Sequence, residues 1–370
     1  PSWQMTDLKV TTLTGVWATS EAEAFCAMSD NSLGPGVMHT ADTGATTDFI
    51  GPVGGMNMDV AYTPKGTEGC VATLSGMLCT HDDSKTFARA DDLRGVSQNV
   101  EAFGDSSFGS TGSFFAPSTG TQVNGVAVST DAGVTWSLSD IGLNSSLYLA
   151  RYGAFPTAST WYVSSGSWPY DDAEALAFNA KTQHRLSSRI TLSNDKDAAK
   201  GADFSKLAGG KNTKKQDGSG AVTGYPGAIS KTEDGGATWT KVFDTDGSMY
   251  FNEISCFDVL SCMAVAENSE GAFAVATTDG GASWSTVLTA PTGASLMGCR
   301  MISASEGWVS GGGMETGKGL VGYYYHTLDA GNTWDLDTLQ SAYSMDLSFN
   351  GGVGYSAAIN QAYSTLAVYV

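Results

Sequence analysis

Thr232 to Trp239 reads T-E-D-G-G-A-T-W, and the chain repeats it with small changes. Ser129 to Trp136 is S-T-D-A-G-V-T-W, Thr277 to Trp284 is T-T-D-G-G-A-S-W, and Thr327 to Trp334 is T-L-D-A-G-N-T-W. Two weaker copies lie upstream. Thr40 to Thr47 (T-A-D-T-G-A-T-T) has no tryptophan, and Thr80 to Phe87 (T-H-D-D-S-K-T-F) has Ser84 for the glycine and Phe87 for the tryptophan. An aspartate in a tight turn accepts hydrogen bonds from backbone N–H groups, expected one and two residues on, while glycine supplies the positive φ such a turn needs. Each copy therefore reads as a hairpin. Its Ser or Thr ends one strand, and its Trp starts the return strand and packs under the turn.

The turn aspartates, Asp42, Asp82, Asp131, Asp234, Asp279 and Asp329, lie 40, 49, 103, 45 and 50 residues apart. A period of about 40 to 50 residues is that of a four-stranded propeller blade. With 46 glycines, 15% charged and 10% aromatic residues, the composition suits many short strands joined by turns. A repeat array buries each unit on its neighbours, so residues 1–370 need no second domain. The 103-residue gap is read as a fourth blade that begins near Ser146 and receives its hairpin only at Thr232, after an insertion over Pro169 to Tyr225. The alternative is an eighth, degenerate blade around Phe178 to Thr191, a stretch without the aspartate turn. After Trp334 enough chain remains for three strands. Pro1 to Leu8 would supply the fourth, with Trp3 in the place of the turn tryptophan. The expectation is an all-β, seven-bladed propeller closed by its N-terminal strand, which removes open sheet edges.

The pattern S/T-x-D-x-G-x-T/S-W is similar to the Asp-box, or BNR repeat. The order of an inner strand, an E-G-W-V-S-G strand (Glu306 to Gly311) and the T-x-D-G-G-x-T-W hairpin resembles propellers of the photosystem II stability and assembly factor kind. That resemblance implies a non-catalytic propeller that holds a protein client, in the thylakoid lumen for those relatives. Sialidases resemble the chain in architecture, but their three carboxylate-holding arginines and early F/Y-R-I-P motif have no counterpart. The six arginines are Arg89, Arg94, Arg151, Arg185, Arg189 and Arg300.

Thirty-eight acidic against 19 basic side chains give a formal net charge of −19. A phosphate-neutralising surface needs clustered Lys and Arg, so nucleic acid is disfavoured as a partner. No apolar run approaches the ~18 residues of a membrane span. A chain that starts at Pro1 rather than methionine is expected to have lost a targeting segment. Six cysteines allow about 15 pairings. Cys70 with Cys79, and Cys256 with Cys262, flank strand-turn-strand segments and suit hairpin disulfides in an oxidising, secreted or lumenal compartment. Cys26 and Cys299 are left as free thiols.

The insertion is basic, with nine of the 19 cations against seven acids, on an otherwise acidic ring. By the resemblance it emerges on the face opposite the aspartate hairpins. Phe114, Phe115, Trp168, Tyr170, Arg185 and Arg189 are the candidates to anchor a protein or polysaccharide partner there. The competing reading is a glycoside hydrolase, which needs two carboxylates about 5 to 9 Å apart. Asp59, Glu101, Glu253 and Asp346, in or beside predicted inner strands, are its candidates. The four histidines and the cysteine spacings suggest no triad or zinc site, and no cofactor is expected. Asp244-Thr-Asp246-Gly247 resembles part of a calcium loop without its remaining ligands and reads as a turn.

Overall fold

The computed structural model describes residues 1–90, 92–116, 119–167, 224–360 and 362–370. In these, 28 strands, β1 to β28 in chain order, form seven four-stranded antiparallel sheets, with no helix among the described residues. The seven innermost strands are β2 (Thr12–Ala18), β6 (Asn57–Tyr62), β10 (Arg94–Ala102), β14 (Ala150–Ala154), β18 (Tyr250–Cys256), β22 (Ala294–Met301) and β26 (Tyr343–Asn350). Each packs against the next, and β26 packs against β2, so seven sheets close the ring and leave no place for an eighth.

Closure follows the sequence expectation. β1 (Trp3–Met5) is the outer strand of the last blade, paired with β28 (Ser364–Tyr369), with Trp3 opposite Tyr369. Trp3 is buried and stacks on Tyr324 of the preceding blade at 4.2 Å. Its backbone N–H donates to Asp337 Oδ2 at 3.0 Å, as the Trp136 N–H donates to Asp92 Oδ2 at 2.9 Å in the third blade. The first strand of the chain thus takes over the anchoring contact of a turn tryptophan.

The six aspartate turns share one hydrogen-bond scheme, and it differs from the expected one. Asp131 Oδ1 accepts from the Thr135 N–H (2.8 Å) and Oδ2 from the Thr135 hydroxyl (2.7 Å), four residues on rather than one or two. The Ser129 hydroxyl donates to Asp131 Oδ1 and accepts from the Gly133 N–H, both at 2.8 Å. The same aspartate-to-fourth-residue pair of bonds recurs at Asp42, Asp82, Asp234, Asp279 and Asp329. The reason is two consecutive left-handed residues, Ala132 (φ 60°) and Gly133 (φ 90°), which swing the fourth N–H back onto the carboxylate. Glycine has a second duty at this corner. A Cβ on Gly133 would lie 2.4 Å from Cys79 Sγ and 2.7 Å from Cys70 Sγ, so the turn seats directly on the disulfide of the previous blade.

The disulfides are Cys70–Cys79 and Cys256–Cys262, each across a cross-strand pair, while Cys26 and Cys299 are buried free thiols. The core lies between sheets. In one such layer Cys70, Met77 and Cys79 of the second blade meet Val100, Phe108, Phe114 and Trp136 of the third. In the fourth blade β15 (Trp161–Gly166) pairs directly with β16 (Gly227–Thr232), so the insertion joins the second and third strands. Residues 168–223 lie outside the described residues. Tyr225, expected as the last residue of the insertion, is already buried and stacks on Tyr250. Asp244 to Gly247 form a turn in which the Asp246 N–H donates to Asp244 Oδ1 at 3.0 Å.

Candidate functional site

The channel is built by a defect repeated seven times. Every inner strand slips its register by one residue against its partner, leaving Thr14, Met58, Gln98, Arg151, Asn252, Met297 and Met345 unpaired. A β-bulge of this kind bends the strand and re-aims the side chains that follow. The residues just past the bulge are Gly15, Asp59, Asn99, Tyr152, Glu253, Gly298 and Asp346. Two further on stand Trp17, Ala61, Glu101, Ala154, Ser255, Arg300 and Ser348. Three of the four acids singled out from the sequence therefore share one level of the ring, and Glu101 sits one pleat nearer the mouth.

An inner strand is also a sheet edge, with backbone N–H groups that its own sheet cannot satisfy. Side chains of the preceding blade satisfy them. Asp346 Oδ2 accepts from the Val16 N–H (2.7 Å), and Asp59 Oδ2 accepts from the Val100 N–H (2.9 Å). One level up, Ser348 Oγ accepts from Ala18 N–H (2.9 Å), Ser255 Oγ from Met301 N–H (3.1 Å), and Glu101 Oε2 from Phe155 N–H (3.3 Å). The inner acids are thus blade-to-blade clasps. Gly15 makes room for one of them, since a Cβ there would lie 2.1 Å from Asp59 Oδ1.

Glu253 stands apart. Among the described residues it has no hydrogen-bond or ion-pair partner, while Glu101 Oε1 is held by Arg300 Nη1 at 3.2 Å. Burial raises Asp346 to about 6, against the hydrogen bonds from Val16 and Leu347. Burial, then the Asp346 charge, holds Asp59 well above the usual carboxylate range. Glu253 is raised well above it by burial and then by Asp346, Asp59 and Glu101. Glu101 is raised by burial, with Arg300 opposing. On β14, between the strands that carry Glu101 and Glu253, Arg151 lies over the Tyr152 and Tyr250 rings at 5.9 and 5.2 Å.

Toward the aspartate-turn face the channel opens into a cavity of about 330 Å³, lined by Trp17, Glu101, Phe103, Phe155, Phe257 and Arg300 among others. The Arg300 guanidinium lies 5.2 Å over the Trp17 ring, and Phe103 stacks on Phe155 at 5.4 Å. Phe257 is 49% exposed at the tip of the hairpin closed by Cys256–Cys262. No group of three or more His, Cys, Asp or Glu among the described residues could hold a metal ion.

The partner-anchoring residues expected on the opposite face fare differently. Phe114 is fully buried in the layer between the second and third blades, so it is packing rather than binding surface. Alternation along the strand turns Phe115, next to it, outward at 45% exposure. Trp168, Tyr170, Arg185 and Arg189 lie outside the described residues. Sequence reading missed Trp17, Arg300, Phe103, Phe155 and Phe257. Aligning the inner strands on their bulges would have put Trp17, Glu101 and Arg300 at one level, but a bulge leaves no residue signature.

No protein-family model matches this sequence, and no curated protein matches it. Solved structures do resemble it in fold. YCF48 bound to D1 peptide aligns over 100% of this chain and 97% of its own, with 13% identity and a TM-score of 0.58. YCF48 from Cyanidioschyzon merolae aligns over 100% and 99%, with 13% identity and a TM-score of 0.60. The GH74 enzyme of Niastella koreensis aligns over 98% of this chain but 53% of its own, with 12% identity and a TM-score of 0.59, so the chain spans about half of that enzyme. At such identities the shared property is the seven-bladed fold, which serves both a peptide-bound protein and glycoside hydrolases.

Proposed function

We propose that this protein is a non-catalytic propeller that holds a protein partner at the channel mouth, in an oxidising extracytoplasmic or lumenal space. The observation that carries this reading is the employment of the acids. Asp59 and Asp346 clasp neighbouring blades, and Glu101 is tied to Arg300 and Phe155. Glycoside hydrolysis needs two carboxylates free to face a substrate, and of the four inner-strand acids only Glu253 is uncommitted among the described residues. The mouth instead offers aromatic surface around an ion pair, the composition of a protein-recognition patch. Two disulfides and a basic insertion on an acidic ring suit a secreted or lumenal binding protein. A polysaccharide partner would leave the same mouth occupied.

Incubating the purified protein with a panel of polysaccharides, with both retention and released reducing ends recorded, tests the reading. Neither is expected. Release that Glu253→Gln abolishes would make the protein a glycosidase, and retention without release would make the partner a polysaccharide.

A further inference from the structure

We propose that the cavity at the channel mouth receives a cationic side chain, lysine or arginine, from a basic segment of the partner protein. This rests on the protein-binding reading above and names the chemistry that the site selects.

Three independent features converge on a cation. Aromatic residues of four blades border the cavity, Trp17, Phe103, Phe155 and Phe257, around a lining whose exposed surface is mostly polar. Aromatic faces attract cations, more strongly where water is excluded. The cavity already holds one cation in this manner, since Arg300 lies over Trp17 and against Glu101. Beyond the mouth, Glu253, a pleat below Ser255 on β18, is the one of the four inner-strand carboxylates with no hydrogen-bond or ion-pair partner among the described residues. The other groups that face the channel are Asp59 of β6, Glu101 of β10, Arg151 and Tyr152 of β14, Arg300 of β22, and Asp346 of β26, while the Cys299 thiol of β22 is buried in the layer between the fifth and sixth blades. β2 contributes no charge. Once ionised, four carboxylates against two guanidiniums make the channel negative, and the chain's −19 steers basic partners toward it. A volume of about 330 Å³ admits one long side chain with water rather than a folded element.

Binding has a second signature. Burial and mutual repulsion keep Asp59, Glu253 and Asp346 protonated to higher pH than usual. An entering ammonium or guanidinium favours their charged forms, so protons leave on binding and affinity rises with pH through about 6.

The experiment is calorimetric titration of the full chain with a blocked tetralysine peptide, at physiological salt, between pH 5 and 8, with blocked tetraglutamate as control. The expected result is tetralysine binding that tightens with pH, releases protons, and weakens at least tenfold in Glu253→Gln and in Phe257→Ala. Glu253→Gln is isosteric and Phe257 is half exposed, and circular dichroism verifies that each variant is folded. Absence of tetralysine binding, or equal binding by wild type and both variants, overturns the inference. A photo-crosslinker in place of Phe257 separates the two failures. Capture of a native protein partner that tetralysine does not displace overturns the cationic ligand alone. Retention on a polysaccharide with no protein captured overturns the protein-binding reading as well.

Discussion

The rim and the channel of this propeller solve the same problem, joining one blade to the next, by opposite means. At the rim, six turns use one residue pattern and one hydrogen-bond scheme, and the glycine of the third-blade turn seats on the disulfide of the blade before. At the channel, one backbone defect recurs seven times while the side chains past it range from glycine to tyrosine to glutamate. A tight turn constrains φ and so constrains residue type. An edge N–H asks only for some acceptor, so aspartate, glutamate and serine all serve. The channel can therefore vary in composition without loss of the ring, and it is there that chemistry accumulates.

The largest effect that would sharpen this contrast is at Gly133. Gly133→Val places a branched side chain at φ 90° and drives it into the Cys70–Cys79 bridge. A loss of about 3–5 kcal/mol in urea unfolding is expected from strain and overpacking together. A loss below about 1 kcal/mol would mean the rim tolerates variety as the channel does. Next, Asp346→Ala strips the acceptor from the Val16 and Leu347 N–H groups. It should cost about 1–3 kcal/mol at mildly acidic pH, and less at pH 8, where the native charge is itself unfavourable.

Stability against pH should show two limbs of opposite sign. Asp131, Asp234 and Asp279 are lowered to about 2 by their turn hydrogen bonds, so their contribution is present above the unfolded value of about 4 and is lost as pH falls toward 2. Asp346 is raised to about 6 by burial, so its contribution is complete below about 4 and is lost as pH rises through 6. Thermal unfolding should peak between these limits, and Asp346→Asn should flatten only the upper limb. A profile that rises steadily to pH 8 would show that the channel acids are ionised at no cost. The smallest effect is a gain. Ala330 holds φ 57° in the sixth-blade turn, and Ala330→Gly should add about 0.5–1 kcal/mol, read as a raised Tm.

The sequence by itself determined the ring. Local turn chemistry is written in residue types, so six copies of one hairpin set the period, the ends of the chain supplied the closing blade with Trp3, and cysteine spacing marked the two cross-strand disulfides. Only the tertiary structure decided what the inner strands do. The bulge is a property of the pairing between two strands, and the clasps are contacts between blades. Neither leaves a local pattern. Asp59, Glu101, Glu253 and Asp346 could be singled out as inner acids, but their sequence contexts do not distinguish three committed carboxylates from one that has no partner among the described residues. Phe114 and Phe115 show the same limit on a smaller scale. They are neighbours of one type in one strand, and alternation buries the first and exposes the second. Trp17, Arg300 and Phe257, far apart along the chain, become one site only because the ring closes around them.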